Sequence, residues 1–191
     1  YIFGTFLNLG MNENFGDTMA AMGVVLVLSI AMTLVIVLLQ YLLAGAVAGV
    51  NPFTALKNML PAYFTALGTS SSAATIPVTY ESTLKNKVEE EVAGFVVPLC
   101  ATIHLSGSMM KITLYALSIV YMASLDITSG QVVGFILLLG IMMIAAPGVP
   151  GGAIMAAVGL LQSNLGFDES MVSLMIASYI VVDSFGTAAN V

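Results

Sequence analysis

The stretch TSSSAATIPV at residues 69–78 decides the fold, because it puts hydroxyls and a proline into a chain that otherwise resembles hydrocarbon. The 191 residues are 59% hydrophobic and 7% charged, whereas soluble domains carry about 25% charged residues. The composition therefore indicates an integral membrane protein. Polar, non-helical backbone at membrane depth is tolerated only where it is buried in protein or lines a cavity. The serine stretch is thus a candidate site.

The segments around this stretch predict a re-entrant hairpin at 51–88, with two arms too short to span a bilayer. The same plan recurs at 127–166 around the tip PGVPGG. Each hairpin precedes a longer segment, an interrupted transmembrane helix at 89–126 and the start of a last, truncated one at 167–191. Paired interrupted segments in two halves of a chain are typical of a carrier's binding site. Ordinary spanning helices kinked by Gly and Pro remain the alternative.

The start of the chain predicts one uninterrupted transmembrane helix at 17–50, longer than the roughly 20 apolar residues needed to cross. Residues 1–16 are interpreted as the end of a preceding transmembrane helix and a loop. The chain opens on Tyr1, so we expect a piece of a longer protein. Three lysines flank the first hairpin, which places its open end on the cytoplasmic side. The spread of the ten acidic residues does not indicate a nucleic-acid surface.

Few polar side chains are expected deep in the membrane, and one group lies in VVDSFGTAAN at 181–190. Asp183 and Asn190 are two helical turns apart and share a face with Gly186 and Thr187. An ionisable residue in a membrane segment is by default a candidate functional residue.

A second polar group lies in HLSGSMMK at 104–111. Gly107 between hydroxyl residues is expected to loosen the helix and free carbonyls, which are good ligands for Na+. His104 is either a packed, hydrogen-bonded imidazole or a proton carrier, since the ordinary pKa of histidine is about 6.5. Lys111 is expected to face protein. Ser71 or Ser72, His104 and Asp183 are the residue types of a hydrolase triad, but no G-x-S-x-G turn is present, so no enzyme is predicted.

Four motifs in this order, TSSSAATIPVT, PLCATIHLSGS, APGVPGGAIM and DSFGTAANV, resemble the glutamate/aspartate transporter family of dicarboxylate/amino acid:cation symporters. The resemblance implies an all-α transport core with two re-entrant hairpins and an interrupted helix, whose tips enclose the substrate. It implies that the serine tip holds the α-carboxylate, that Asp183 takes the α-amino group and that Ser108 lies beside the substrate's side chain. The residues expected to bind substrate are Ser71, Ser72, Ser108, Gly148, Val149, Asp183, Gly186, Thr187 and Asn190. The residues expected to bind or couple a cation, with Na+ held through backbone carbonyls, are Cys100, Thr102, His104, Leu105, Ser106, Lys111 and Asn190.

The chain departs from the family pattern at the interrupted helix, where the family's N-M-D-G-T is replaced by His104-Leu105-Ser106-Gly107-Ser108. The loss of the Asn and Asp oxygens makes H+ as well as Na+ a candidate coupling ion. Carriers of acidic substrates have an Arg at the position of Gly186 and an acid at that of Tyr179. Their absence favours a neutral amino acid, unless Lys111 replaces the Arg. Alternatively, Lys111 is a tethered cation that substitutes for a bound sodium.

The sequence thus predicts a cation-coupled symporter of an amino acid, neutral rather than acidic, or of a dicarboxylate. By resemblance it works by elevator-type alternating access, as a homotrimer in the plasma membrane, with no cofactor beyond the coupling ion. A membrane sensor that has kept the site but lost cation coupling is the alternative, motivated by His104 and Ser106. A channel is a further one.

Overall fold

The computed structural model describes residues 15–191, and this part of the chain is helical throughout except for turns and caps. The expected all-α fold is confirmed. The predicted tail of a preceding helix at 1–16 lies almost entirely outside the described residues. The helices are α1 (Phe15–Ala48), α2 (Pro52–Thr69), α3 (Ser72–Lys85), α4 (Glu90–Ile103), α5 (Ser106–Met122), α6 (Ser129–Ile144), α7 (Gly152–Leu165) and α8 (Glu169–Asn190).

Three stretches of the described chain are long and apolar enough to cross a membrane: Gly16–Ala48, Glu90–Met122 and Glu169–Asn190. Large apolar side chains on α1 remain exposed, including Val24, Val27 and Leu43. Contiguous apolar surface of this kind needs lipid or further protein to cover it. The fold is therefore that of a membrane-embedded bundle.

The first predicted hairpin contains the antiparallel pair α2 and α3. Asn51 caps α2 by accepting hydrogen bonds from the backbone N–H groups of Phe53 and Thr54. At the open end, the Asn58 side chain donates to Asn86 Oδ1 at 2.8 Å, which ties the two arms together. At the tip, Ser70 adopts a left-handed conformation with φ of 51°. The turn between the arms is therefore sharp.

The second predicted hairpin contains α6 and α7, joined by the Gly/Pro tip. A capping box between Thr128 and Gln131 starts α6. The tip folds back on itself so tightly that a Cβ at Gly152 would overlap the carbonyl oxygen of Pro147. Gly151 has φ of 72°, which an L side chain rarely adopts. These two positions explain why the tip is rich in glycine.

The interruption of the long helix lies at His104 and Leu105, between α4 and α5. Leu105 has non-helical dihedrals, φ −114° and ψ 40°. Gly107, which was expected to loosen this helix, instead lies in the first turn of α5. A Cβ there would come within 2.5 Å of the Gly186 carbonyl oxygen and 2.8 Å of the Ala189 Cβ. Gly107 allows α5 and α8 to pack closely, and this packing brings the polar segments at 104–111 and 181–190 together.

Candidate functional site

The two hairpin tips touch each other. Ser71 Oγ donates a 2.8 Å hydrogen bond to the Gly148 carbonyl oxygen, and the Ala73 N–H donates to the same oxygen at 3.1 Å. Ser71 also caps α3 by accepting from the Ala74 N–H at 3.2 Å. A Cβ at Gly148 would lie 2.6 Å from the Ala101 carbonyl oxygen. Only glycine fits at this contact without a shift of the backbone.

The α8 face predicted from spacing is present. Asp183, Gly186, Thr187 and Asn190 are all buried. Asp183 Oδ2 accepts a 2.7 Å hydrogen bond from the Gly151 N–H. The carboxylate that the sequence singled out therefore contacts the second tip.

Asn190 connects α8 to the start of α5. Its Oδ1 accepts from the Gly107 N–H at 2.9 Å, and its Nδ2 donates to Ser108 Oγ at 2.8 Å. Oδ1 also accepts from the Ser108 N–H at 3.4 Å, so it satisfies two orphan donors at the α5 N-terminus. Asn190 thus fixes Ser108 beside the α8 face.

The tips, the helix break and α8 enclose one small cavity of about 10 Å³. It is lined by Ser70, Ser72, Leu105, Ser108, Pro147, Gly148, Val149, Ala153, Asp183, Thr187 and Asn190. A single water needs roughly this volume. The site is therefore assembled but closed to anything larger.

Most residues expected to bind substrate line this cavity, and Ser71 joins them through its bond to Gly148. Gly186 is different, because it faces Lys111 and not the cavity. Sequence reasoning missed Ser70, Pro147, Ala153 and the Gly151 N–H. The glycine and proline content of the tip was a signal for Gly151, whereas nothing marked Ala153.

Lys111 is fully buried between α5 and α8, as expected for a residue that faces protein. Its ammonium donates a hydrogen bond to the Val182 carbonyl oxygen and lies 5.4 Å from the centroid of the Phe185 ring. It does not line the cavity.

His104 is hydrogen-bonded on both ring nitrogens. Nδ1 lies 2.9 Å from the Asn190 carbonyl oxygen, so it must carry the proton, because a carbonyl only accepts. Nε2 then accepts from the Gln40 side-chain amide at 3.2 Å. Gln40 also donates to Ser106 Oγ at 2.8 Å. These bonds fix the orientation of the imidazole ring.

Gln40 is a residue that sequence reasoning missed. The signal was available, because it is an amide inside the apolar run of α1. It lies on the wall of a cavity of about 250 Å³, together with residues of α1, α2 and α8 and with His104.

The other residues of the expected cation set are dispersed. Thr102 is exposed, and its hydroxyl donates to the Leu99 carbonyl. The Cys100 carbonyl accepts from the His104 N–H, and the Leu105 carbonyl from the Met109 N–H. Among the described residues, no group of three His, Cys, Asp or Glu side chains could hold a metal ion. The geometry therefore leaves oxygen atoms near His104, Ser106 and Asn190 as the candidates for cation contact.

The three residue types considered for a hydrolase triad do not hydrogen-bond to one another. Ser71 bonds to Gly148, His104 to Gln40 and Asn190, and Asp183 to Gly151. A nucleophile needs its base within hydrogen-bond reach. The arrangement is not that of a catalytic triad.

Comparison with known proteins finds similarity to excitatory amino acid transporters. The chain is 34% identical over 151 residues to excitatory amino acid transporter 1 of Ambystoma tigrinum, covering 78% of the chain and 28% of that protein. It is 35% identical over 142 residues to excitatory amino acid transporter 3 of Mus musculus, covering 74% and 27%. It is 32% identical over 142 residues to excitatory amino acid transporter 1 of Homo sapiens, covering 74% and 26%. The chain thus spans about a quarter of the length of these relatives.

The model of the sodium:dicarboxylate symporter family matches residues 1–191. The match confirms the family suggested by the four motifs. The chain belongs to the sodium:dicarboxylate symporter family.

Proposed function

We propose that this chain is the substrate-binding transport core of a cation-coupled symporter, and that it carries an amino acid without net charge in preference to an acidic amino acid or a dicarboxylate. The observation that carries the proposal is a closed site with two polar anchors, one a group of hydrogen-bond donors and the other a carboxylate. The Ser71 hydroxyl and the N-terminus of α3 offer donors, and Asp183 offers a carboxylate.

The donor anchor suits a carboxylate. A helix N-terminus presents free N–H groups and a positive partial charge, and Ser71 adds a hydroxyl at the same place. Both the hydroxyl and the Ala73 N–H now bind the Gly148 carbonyl oxygen. An α-carboxylate would replace that oxygen with a charged acceptor, which forms stronger hydrogen bonds.

The acceptor anchor suits an ammonium. Asp183 is buried and holds the Gly151 N–H. An α-amino group would replace this neutral donor by a charged one. The two anchors together match the charged pair that every α-amino acid carries.

The second tip is the element that has to move. Its Gly148 carbonyl and Gly151 N–H occupy the two anchors, so a substrate must displace both. The tip contacts its partners through backbone groups, which separate without loss of side-chain packing. This supports a gate at 147–152.

The preference for neutral substrates rests on the charges at the cavity wall. Asp183 is the charged residue among those that line it. A substrate side-chain carboxylate would be buried without a cation beside it, and an unpaired buried charge is costly.

The coupling ion is Na+ or H+. His104, Ser106 and the Asn190 carbonyl form one hydrogen-bonded group next to the substrate site. A cation bound there couples to substrate when it favours the closed state that also holds substrate. We further propose an elevator-type movement of this core within a plasma-membrane homotrimer, with the first hairpin open to the cytoplasm.

The sensor alternative would share the site but would not move substrate across the bilayer. It is less favoured, because the chain belongs to a family of symporters. Counterflow separates the two, since vesicles preloaded with unlabelled substrate accumulate label only if the protein carries it.

The test is uptake of labelled neutral and acidic amino acids into proteoliposomes that contain the full-length parent protein. A sodium gradient is imposed in one set and a proton gradient in the other. Gradient-driven uptake of a neutral amino acid supports the proposal. Binding without uptake or counterflow under both gradients would favour the sensor.

A further inference from the structure

Lys111 and Asp183 are the two buried charged side chains in the described part of the chain. They lie on different helices, α5 and α8, which cross closely at Gly107 and Gly186. Lys111 lies against Gly186, three residues after Asp183 on α8. Asp183 lines the substrate cavity, and Lys111 lies behind it.

The ammonium of Lys111 is held by few partners. It has three donors, and its one acceptor among residues 15–191 is the Val182 carbonyl oxygen. The Phe185 ring, 5.4 Å away, lies within the range of a cation–π contact. A buried charge with so little local compensation is costly unless an opposite charge lies near it, and Asp183 is the other buried charged side chain among the described residues.

Gly186 provides the space for this ammonium. A Cβ at position 186 would lie 3.3 Å from Lys111 Cδ and 3.4 Å from Nζ. Gly186 follows Asp183 by three residues, so both belong to the same stretch of α8. The lysine side chain therefore lies against the helical turn that carries the site's carboxylate.

The two buried charges, one positive and one negative, consequently sum to zero. Tyr179 lies beside Asp183 and Ser108 and adds only a neutral hydroxyl. An amino acid without net charge keeps the sum at zero. An acidic amino acid or a dicarboxylate would add negative charge with no buried partner.

We propose that Lys111 is a specificity-determining residue, whose fixed ammonium is the internal counter-charge of Asp183 and makes the site select substrates without net charge. The inference rests on the proposed function, because it needs a substrate between the tips. It assigns Lys111 to the charge balance of the site and not to direct contact with substrate.

The test measures uptake of labelled serine by the full-length protein in proteoliposomes. Unlabelled serine, aspartate and 2,4-diaminobutyrate compete, with net charges of about zero, minus one and plus one. In Lys111→Met we expect the KM for serine to rise at least tenfold, because Asp183 is left without its counter-charge. We also expect 2,4-diaminobutyrate to become a better competitor relative to serine, since its second ammonium restores the charge.

Two variants control for size and for overall charge. Lys111→Arg keeps the charge and should keep the order of competitors. Lys57→Met removes an exposed lysine on α2 and should leave uptake unchanged. If Lys111→Met keeps both the wild-type KM and the order of competitors, Lys111 only fills space and the inference is wrong.

A complementary variant covers the case in which Lys111→Met does not fold. Asp183→Asn leaves Lys111 as the excess charge, so succinate should bind at least fivefold tighter than to the wild type. No gain for succinate in this variant overturns the inference. Failure of the wild type to take up any amino acid overturns the proposed function instead, so the two failures are distinguishable.

Discussion

The contact between the tips predicts a selective effect of Gly148→Ala. A Cβ there would lie 2.6 Å from the Ala101 carbonyl oxygen and 3.4 Å from the Ala73 backbone nitrogen. The first distance is shorter than real Cβ contacts, and the neighbour is backbone, so the second tip must withdraw. The closed contact between the two tips is then the arrangement that loses stability.

The size of the effect follows from the bonds that break. Withdrawal removes the hydrogen bonds that Ser71 Oγ and the Ala73 N–H make to the Gly148 carbonyl. A typical intramolecular hydrogen bond contributes about 0.5–1.5 kcal/mol net, so the two contribute about 1–3 kcal/mol. Since about 1.4 kcal/mol is tenfold, the arrangement with the tips in direct contact should become roughly 5- to 150-fold less populated.

The assay compares net uptake with exchange in proteoliposomes containing the full-length protein. Net uptake requires the empty site to close and return, whereas exchange of labelled for unlabelled substrate uses only the loaded site. We expect Gly148→Ala to slow net uptake within the range given and to affect exchange much less. Gly159→Ala, on α7 where a Cβ meets nothing within 4 Å, is the matched control. An equal loss of net uptake and exchange, or no loss at all, would refute the reasoning.

Three further predictions concern the α8 face and its neighbours. Asp183→Asn should reduce amino acid uptake at least a hundredfold, because the amide still accepts from Gly151 but no longer attracts an ammonium. Uptake measurements check this, with size-exclusion profiles to identify folded protein, and uptake near the wild-type rate would contradict it. Gly107→Ala should lower the free energy of unfolding by about 1–3 kcal/mol, because its Cβ would overpack the crossing of α5 and α8. Thermal unfolding in detergent measures the change. An unchanged melting temperature would show that the two helices can move apart without cost. Gln40→Ala removes the donor shared by His104 and Ser106. The loss of two hydrogen bonds of about 1 kcal/mol each should shift the half-saturating concentration of the coupling cation about thirtyfold. Uptake measured against sodium concentration and against pH identifies the ion, and an unchanged cation dependence would separate this group from coupling.

The local features of this fold could be predicted from the sequence, because they depend on short-range spacing. The serine tip, the Gly/Pro tip and the face with Asp183 and Asn190 all lie in segments of about ten residues. Helical periodicity alone places Asp183 and Asn190 on one side of α8. Their proximity to the tips then followed from the resemblance, and the cavity contains them together.

The interactions between distant segments could not be predicted in this way. Gln40 bonds to a histidine 64 positions later in the chain, and no local pattern encodes that pairing. The place of Gly107 was misjudged for a related reason. By helix propensity alone, a glycine beside hydroxyl residues predicts a break in the helix. In the structure, Gly107 lies against the Gly186 carbonyl, 79 positions later in the chain, where α5 and α8 cross.

Asn190 is the shortest physical connection between the substrate site and the candidate coupling group. Its side chain lines the cavity and holds the N-terminus of α5 through Gly107 and Ser108. Its backbone carbonyl accepts the hydrogen bond from His104. Any cation that changes the bonding of His104 or competes for this carbonyl therefore acts on a residue that also shapes the cavity wall. Coupling over such a short path needs no movement of a whole helix, because one residue takes part in both sites.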